Sequence, residues 1–410
     1  MALITRSKCI NMFFMSLIAL LANNLISTNV FAKTLPIGIT LNMSGPNAQS
    51  SIDFKNGIEA FIHAENQSKR FNKYQIKLLA MDDIGQTNRA LSNAKRLITS
   101  KNVLALLTTD ISENVADLAR LAGNNKTLLL SANHHQQPLN IKDHRYIGFL
   151  SQPYSEMFRS LNKTLKNSDT IYVSADNDYD FNAIEDAIRS ISLKSVRKLT
   201  NQRIRAPKTQ KNCTIVFANN VNTTANILAE LTKQQNQCQM LILPVVEKTL
   251  LQKLLVEKYS DTNSHNLLFV SSVPLHRRNL PLIEEFIRDM KAYSPQAPYS
   301  HQALKGYLLA KIAIDSMFQS VNKVHTDSFI EIITLPFQLI DQVVGWVKDP
   351  NSNISKTTVV NSFSYLKRYD IGLDKTISVY KDRVLIKKTW LSKLDQQQLI
   401  TNQIDNKDQN

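Results

Sequence analysis

Apolar residues recur along this chain with two alternating periods. Short, mostly apolar runs at 35–41, 74–81, 103–107 and 127–131 carry the two-residue repeat, or the unbroken hydrophobicity, of buried strands. Between them apolar residues return every three or four positions. Residues 54–66 place Phe54, Ile58, Phe61 and Ile62 on one helical face, and 87–100 does the same with Ala90, Leu91, Ala94, Leu97 and Ile98. Ser112 opens a further helix to residue 122. Strand and helix alternating in this way predict an α/β chain built on a doubly wound parallel sheet. Such sheets bind ligands beyond the carboxyl ends of their strands.

The pattern then restarts. Helices are predicted at 156–166, 181–192, 223–235 and 248–259, and strands at 170–174, 196–204, 214–218, 240–243 and 267–271. Two more helices follow, 281–292 and 302–321. Residues 328–347 repeat with helical period, and Pro336 should kink or break them. Residues 349–353 read as a loop, short strands are expected at 376–380 and 383–387, and the Gln/Asn-rich tail from 395 should fray. The restart predicts two doubly wound α/β lobes. No internal repeat of about 20–50 residues is visible.

The first 32 residues read differently. Arg6 and Lys8 precede an apolar run at 12–21, and Val30-Phe31-Ala32 supplies the residues of a cleavage site. The run is too short for the ~20 residues that span a bilayer. Cys9 precedes it, the reverse of a lipoprotein signal. The expectation is a secretory signal, 1–32, and a soluble periplasmic protein without a membrane span. Residues 33–410 are long enough to bury two cores, and 43% hydrophobic content excludes a disordered chain. The formal charge of +15, less Arg6 and Lys8, leaves +13. The basic residues are scattered. The clusters Arg203, Arg205, Lys208, Lys211 and His276-Arg277-Arg278 lack interleaved aromatics, so a solvated basic surface fits better than a nucleic-acid face.

Glycine is scarce, nine in all, and no glycine-rich phosphate cradle, G-x-S-x-G elbow, H-E-x-x-H or C-x-x-C pair occurs. These absences argue against the commonest hydrolases, metalloenzymes and nucleotide enzymes. No cofactor, metal or catalytic residue is expected.

Ile37-Gly38-Ile39, then Ser44-Gly45-Pro46-Asn47-Ala48-Gln49, then Asn56-Gly57-Ile58-Glu59-Ala60 resemble the start of the branched-chain amino-acid-binding proteins. These are type I periplasmic binding proteins of ABC transporters. Asp82-Asp83 at a strand end, Ser112 at a helix start, Ser131 at a strand end, 172–179 with Tyr179, and Gly306-Tyr307-Leu308-Leu309-Ala310 fall in the family's order. The resemblance covers about residues 35–390. Its type I pattern implies three crossovers between the lobes, with lobe one comprising 33–150 and 275–369 and lobe two 151–274 and 370–395. It implies a non-enzymatic solute-binding protein that closes around a small polar ligand and presents it to a membrane permease or sensor. The departures are local. Ser50-Ser51-Ile52 stands where the family often has an aromatic, and Ala132-Asn133-His134-His135 where small residues and a threonine are usual. Asn219, Asn220 and Asn222 replace a tyrosine, and Glu247 is the acidic residue nearest the ammonium-binding position. These departures leave open an alternative on the same fold, an envelope interaction or regulatory module.

The resemblance nominates Gln49, Ser50, Ser112, Asn133 and His135 from lobe one, and Tyr179, Asn220 and Glu247 from lobe two, as ligand-binding residues. Ser112 either holds an anionic ligand group at a helix N-terminus or is a plain N-cap. The asparagines serve either recognition or turn chemistry. Asp82-Asp83 at a strand end is expected to fix the following turn and cap the next helix. Adjacent histidines point apart, so His134-His135 is no metal site.

Cys213 and Cys238 each lie shortly before the apolar run of a predicted strand. Consecutive strands of a doubly wound sheet commonly lie side by side, about 4.8 Å apart. Equivalent positions on them fall within disulfide reach, and export supplies an oxidising compartment. A Cys213–Cys238 disulfide is expected.

Overall fold

Strands β1 (Lys33–Leu41), β2 (Tyr74–Asp82), β3 (Ala105–Thr108), β4 (Leu128–Ser131) and β5 (Ile147–Phe149) form a parallel sheet in the spatial order β2-β1-β3-β4-β5. The computed structural model describes residues 33–45, 48–68, 70–71, 74–109, 114–133, 146–191, 194–199, 212–234, 236–246, 248–258, 267–271, 273, 280–334, 355–357, 359 and 390–393. Helices α1 (Ala48–Ser68), α2 (Thr87–Thr99) and α3 (Asn114–Asn124) connect the strands of this sheet. Strand alternation sorts side chains to two faces. Leu35, Ile37, Ile39 and Leu41 of β1 join Phe54, Ile58 and Phe61 of α1 in one core. Leu106 and Leu129 point the other way, into a core with Leu97, Leu118 and Ala119 of α2 and α3. On that second face Gly38 leaves room for a neighbour: a Cβ there would lie 3.1 Å from Val103 and 3.3 Å from Leu97.

The second sheet contains β6 (Thr170–Ala175), β7 (Ser195–Lys198), β8 (Cys213–Ala218), β9 (Gln239–Ile242), β10 (Leu267–Ser271) and β11 (Trp390–Lys393), ordered β11-β10-β9-β8-β6-β7. All pairings are parallel except β10 with β11. Helices α4 (Tyr154–Leu165), α5 (Asp178–Ile191), α6 (Val221–Lys233) and α7 (Lys248–Lys258) cover both faces. Ile215 and Phe217 of β8 face the cluster of Leu228 and Leu251, whereas Val216 and Ala218 face Phe158 and Ile188. Cys213 and Cys238 form a disulfide with a Cα–Cα separation of 4.7 Å. The β8–β9 register pairs Thr214 with Gln239, one step beyond the two cysteines.

The chain then returns to the first sheet. Helices α8 (Pro281–Tyr293) and α9 (His301–Thr334) bring Phe286 and Tyr307 into the β1 core. Tyr307 meets Phe61 and Phe286 edge to face, with ring centroids 5.0 and 5.4 Å apart. A third passage leads back to the second sheet at β11.

Several elements differ from the sequence reading. Helix α1 starts at Ala48, so Gln49 and Ser50 lie on its first turn and not in a loop. Strand β5 has three residues, too few to display a period. Helix α9 runs unbroken through 322–327, where two separate helices were expected; no glycine or proline interrupts that stretch. Its described residues run to Thr334, and Pro336, where a kink or break was expected, lies outside the described residues. The strands expected at 376–380 and 383–387 lie outside the described residues, as does the signal segment 1–32. Among the described residues no helix is long and apolar enough to cross a membrane.

Candidate functional site

Each sheet reverses its strand order once, between β1 and β3 in the first and between β6 and β8 in the second. Loops at such reversals part to opposite faces and leave a crevice at the carboxyl ends of the strands. Gln49 and Ser50 follow β1 at the first of these points, and Tyr179 and Asn220 follow β6 and β8 at the second.

At the first reversal, the turn after β1 is tightly held. Asp82 Oδ1 accepts from the backbone N–H groups of Met43 (3.0 Å) and Ile84 (2.9 Å), and the Ser44 hydroxyl donates to Asp82 Oδ2. These hydrogen bonds, that of Ser44 foremost, pull the Asp82 carboxyl below its usual pKa. Asp83 accepts from Thr40 Oγ1 and from Gly85 N, each at 2.9 Å. The two aspartates thus lock a turn in which Ile84 and Gly85 both have positive φ. They do not cap α2: its N-cap is Gln86, which makes no side-chain capping bond.

Gln49 is exposed and donates through Nε2 to Asp53 Oδ1, 2.8 Å away and one turn along α1. Ser50 is half-buried on the same turn. Asn133, just past β4, is used on both sides: Nδ2 donates to Thr109 O (2.9 Å), and Oδ1 accepts from Lys305 Nζ (3.2 Å). Ser112, His135 and Glu247 lie outside the described residues.

At the second reversal, Asp176 follows β6 and ties it to the loop after β8. Its carboxylate accepts from Asn220 N (2.5 Å) and from the side-chain amides of Asn219 and Asn220, each at 3.2 Å. Asn220 is also the N-cap of α6, its Oδ1 accepting from Thr223 N at 2.9 Å. Asn219 and Asn220 thus hold the turn after β8. Tyr179 sits in the first turn of α5, half-buried, with its hydroxyl shielded from solvent. Asp178 and Asp180 flank it. Lys198 donates to Asp178 and holds its carboxyl low. Burial pushes Asp180 up against an opposing hydrogen bond from Asn177, and the charge of Asp176 adds to the rise.

The structure thus brings Asn220 to the strand end that leads into Tyr179, and Asn133 to the N-terminal part of α9. Gln49 and Ser50 remain on α1. Sequence reasoning missed Asp176, a carboxylate directly at a strand's carboxyl end, and Lys305, a lysine inside a run of buried residues. Among the described residues no group of three or more His, Cys, Asp or Glu side chains could hold a metal ion.

Comparison with known proteins bears on this arrangement. A family model described as periplasmic binding protein matches residues 34–199. Curated protein sequences give no match. Among solved structures, a fatty acid ABC transporter substrate-binding protein from Thermomonospora curvata superposes with a TM-score of 0.69 at 16% identity, covering 89% of each chain. The branched-chain amino acid transporter substrate-binding protein LivJ from Streptococcus pneumoniae, in complex with isoleucine, gives 0.67 at 15% identity over 88% of this chain and 97% of that one. The leucine binding protein LivK from Thermotoga maritima gives 0.65 at 14% identity over 88% and 96%. The chain has the fold of the type I periplasmic binding proteins, and its residues 34–199 match that family's model.

Proposed function

We propose that this chain is an extracytoplasmic solute-binding protein, without enzymatic activity, that closes around a small polar ligand and presents it to an ABC permease or a sensor. The observation that carries the reading is the pair of strand-order reversals, one per lobe, each bordered by polar side chains at the strand ends. Relatives of the same fold named for substrate binding in ABC transporters support it. Lobe one is read as 33–150 with 275–369, and lobe two as 151–274 with 370–395. Gln49, Ser50, Ser112, Asn133 and His135 would face Tyr179, Asn220 and Glu247 across the cleft. Contacts made to both lobes only in the closed state are what couple binding to closure. The signal-like segment 1–32 supports export to the periplasm.

The ligand departs from a plain branched-chain amino acid, because the aromatic and acidic positions that suit one are occupied by Ser50 and by the Val245-Val246-Glu247 stretch. The test is mass spectrometry of small molecules released on denaturing the purified protein, followed by thermal melts with each one found. A solute that raises Tm supports the reading. A protein that releases nothing, responds to no solute and retains an envelope protein in pull-down is instead an interaction module.

A further inference from the structure

We propose that the outward face of α2, with Lys77 of β2 beside it, is a docking surface for the anionic headgroups of a phospholipid membrane. The inference is independent of the cleft and of the solute it takes. Among the described helices, α2 alone contains no Asp or Glu, and the stretch free of acidic residues runs from Ile84 to Thr109. Ala90, Ala94, Leu97 and Ile98 turn one side of α2 into the core. The opposite side carries Asn88, Ser92, Lys95, Arg96 and Thr99, all exposed. Leu79 and Met81 of β2 share a core with α2, so strand alternation puts Lys77, also exposed, on the same face of the sheet. Lys101 and Lys126 are exposed in the turns that lead from α2 into β3 and from α3 into β4.

These five cations are unmatched. Among the described residues, the side chains of Lys77, Lys95, Arg96, Lys101 and Lys126 have no ion pair or hydrogen bond, whereas α1, α3, α4, α5 and α6 each match a basic residue with a carboxylate three or four positions away. The carboxylates close in sequence are already used. Asp82 and Asp83 hold the turn after β2, and Asp117 of α3 lies 2.7 Å from Arg120. The face also lacks an apolar anchor. Protein interfaces centre on buried aromatic and aliphatic side chains, and none is exposed on this side of α2. A layer of anionic headgroups needs no such anchor. It attracts each Lys or Arg separately and relieves the repulsion among them.

Co-sedimentation with vesicles of phosphatidylglycerol and phosphatidylcholine, and with phosphatidylcholine alone, tests this at low and high salt. Wild type is compared with Lys95→Gln/Arg96→Gln/Lys101→Gln. A control, Lys163→Gln/Lys166→Gln/Lys291→Gln, removes the same charge from exposed positions on or beside α4 and α8. Wild type and control should bind only the phosphatidylglycerol vesicles and leave them at high salt, and the α2 variant should bind roughly tenfold more weakly or worse. Should the α2 variant fail to fold, Lys77→Gln/Lys126→Gln takes its place, with a loss again expected against a control of two substitutions, Lys163→Gln/Lys166→Gln. Equal losses in variant and control would show attraction by net charge alone and overturn the assignment. So would wild-type protein that ignores phosphatidylglycerol vesicles, including protein retained by immobilised polyglutamate, which would make the face a site for an acidic protein segment.

Discussion

A Cβ on Gly57 would lie 1.8 Å from the carbonyl oxygen of Ala303, and one on Gly306 would lie 2.0 Å from the carbonyl oxygen of Phe54. Helices α1 and α9 therefore cross backbone to backbone, each offering a glycine to the other. Glycine inside a helix costs about 0.5–1 kcal/mol relative to alanine, and close approach is what that cost secures. On an isolated helix Gly57→Ala would stabilise; here it should destabilise, by about 1–3 kcal/mol, because the contacted atoms are backbone and cannot rotate away. Thermal melts of Gly57→Ala and Gly306→Ala check this. A higher Tm in both would show that the crossing opens freely.

The disulfide closes the loop between Cys213 and Cys238, a separation of 25 residues. Chain entropy assigns such a loop about 3–4 kcal/mol. It joins β8 to β9 at the amino ends of the strands, opposite the carboxyl-end crevice, where Cys213 is also in register with Thr170 of β6. Replacing both cysteines by alanine should lower stability by roughly that amount while leaving ligand affinity unchanged. Denaturant melts and intact mass of non-reduced, alkylated protein provide the check. Two alkylated cysteines in periplasmic material would contradict it.

Asp53 is 5% exposed, and it links the start of α1 to the cap of α9. It accepts from Gln49, and the Ser300 hydroxyl, whose Oγ accepts from Ala303 N at 3.1 Å, also favours its ionised form. Burial raises its pKa above 3.8, and Gln49 and Ser300 only partly offset that. A carboxyl raised on folding contributes stability that is fully present below about pH 3.8 and lost as pH rises through the folded value. Asp53→Asn keeps both hydrogen-bond acceptance and shape without the charge. Its Tm relative to wild type should therefore improve from pH 4 towards pH 7. A difference that stays constant across that range would rule out ionisation as the cause.

The strands and helices near the chain start were legible because period decides them. Leu35, Ile37, Ile39 and Leu41 alternate, and Ala90, Ala94, Leu97 and Ile98 recur as a helix face. The cysteine pairing was legible because it needs only strand order and position. What local pattern cannot carry was missed. Three residues of β5 show no period, and the continuity of α9 through 322–327 depends on the absence of a breaker more than on any apolar signal. The helix was expected from residue 54, yet α1 already includes Gln49, which reaches Asp53 four residues on. The glycines at 57 and 306 were visible as motif residues, but their meeting is tertiary. Lys305 is the most instructive omission. It interrupts the buried run of Ala303, Leu304, Gly306 and Tyr307, and reads as a flaw in a helix face until Asn133 is seen beside it.

Arg70 holds the far end of the same helix pair. Its Nε lies 2.8 Å from Glu65 Oε2 and its NH1 2.6 Å from Asp315 Oδ1, with the guanidinium 4.6 Å from the Phe318 ring centroid. Asp315 is 4% exposed. Burial raises the pKa of both Glu65 and Asp315, and Arg70 is the strongest opposing influence on each. Arg70→Met keeps an apolar stem on the ring but strands a buried carboxylate. The loss should be about 2–4 kcal/mol near neutral pH, below the largest values for fully buried pairs because Arg70 keeps some contact with water and Lys311 also attracts Asp315. Without the guanidinium the Asp315 pKa rises further, so the deficit should shrink as pH falls and the carboxyl takes up its proton. Adding Asp315→Asn to Arg70→Met should recover more than half of the loss. Denaturant melts of the two single variants and the double variant at pH 5 and pH 7.5 measure both effects, and a double variant no more stable than Arg70→Met would show that the stranded charge is not the cause.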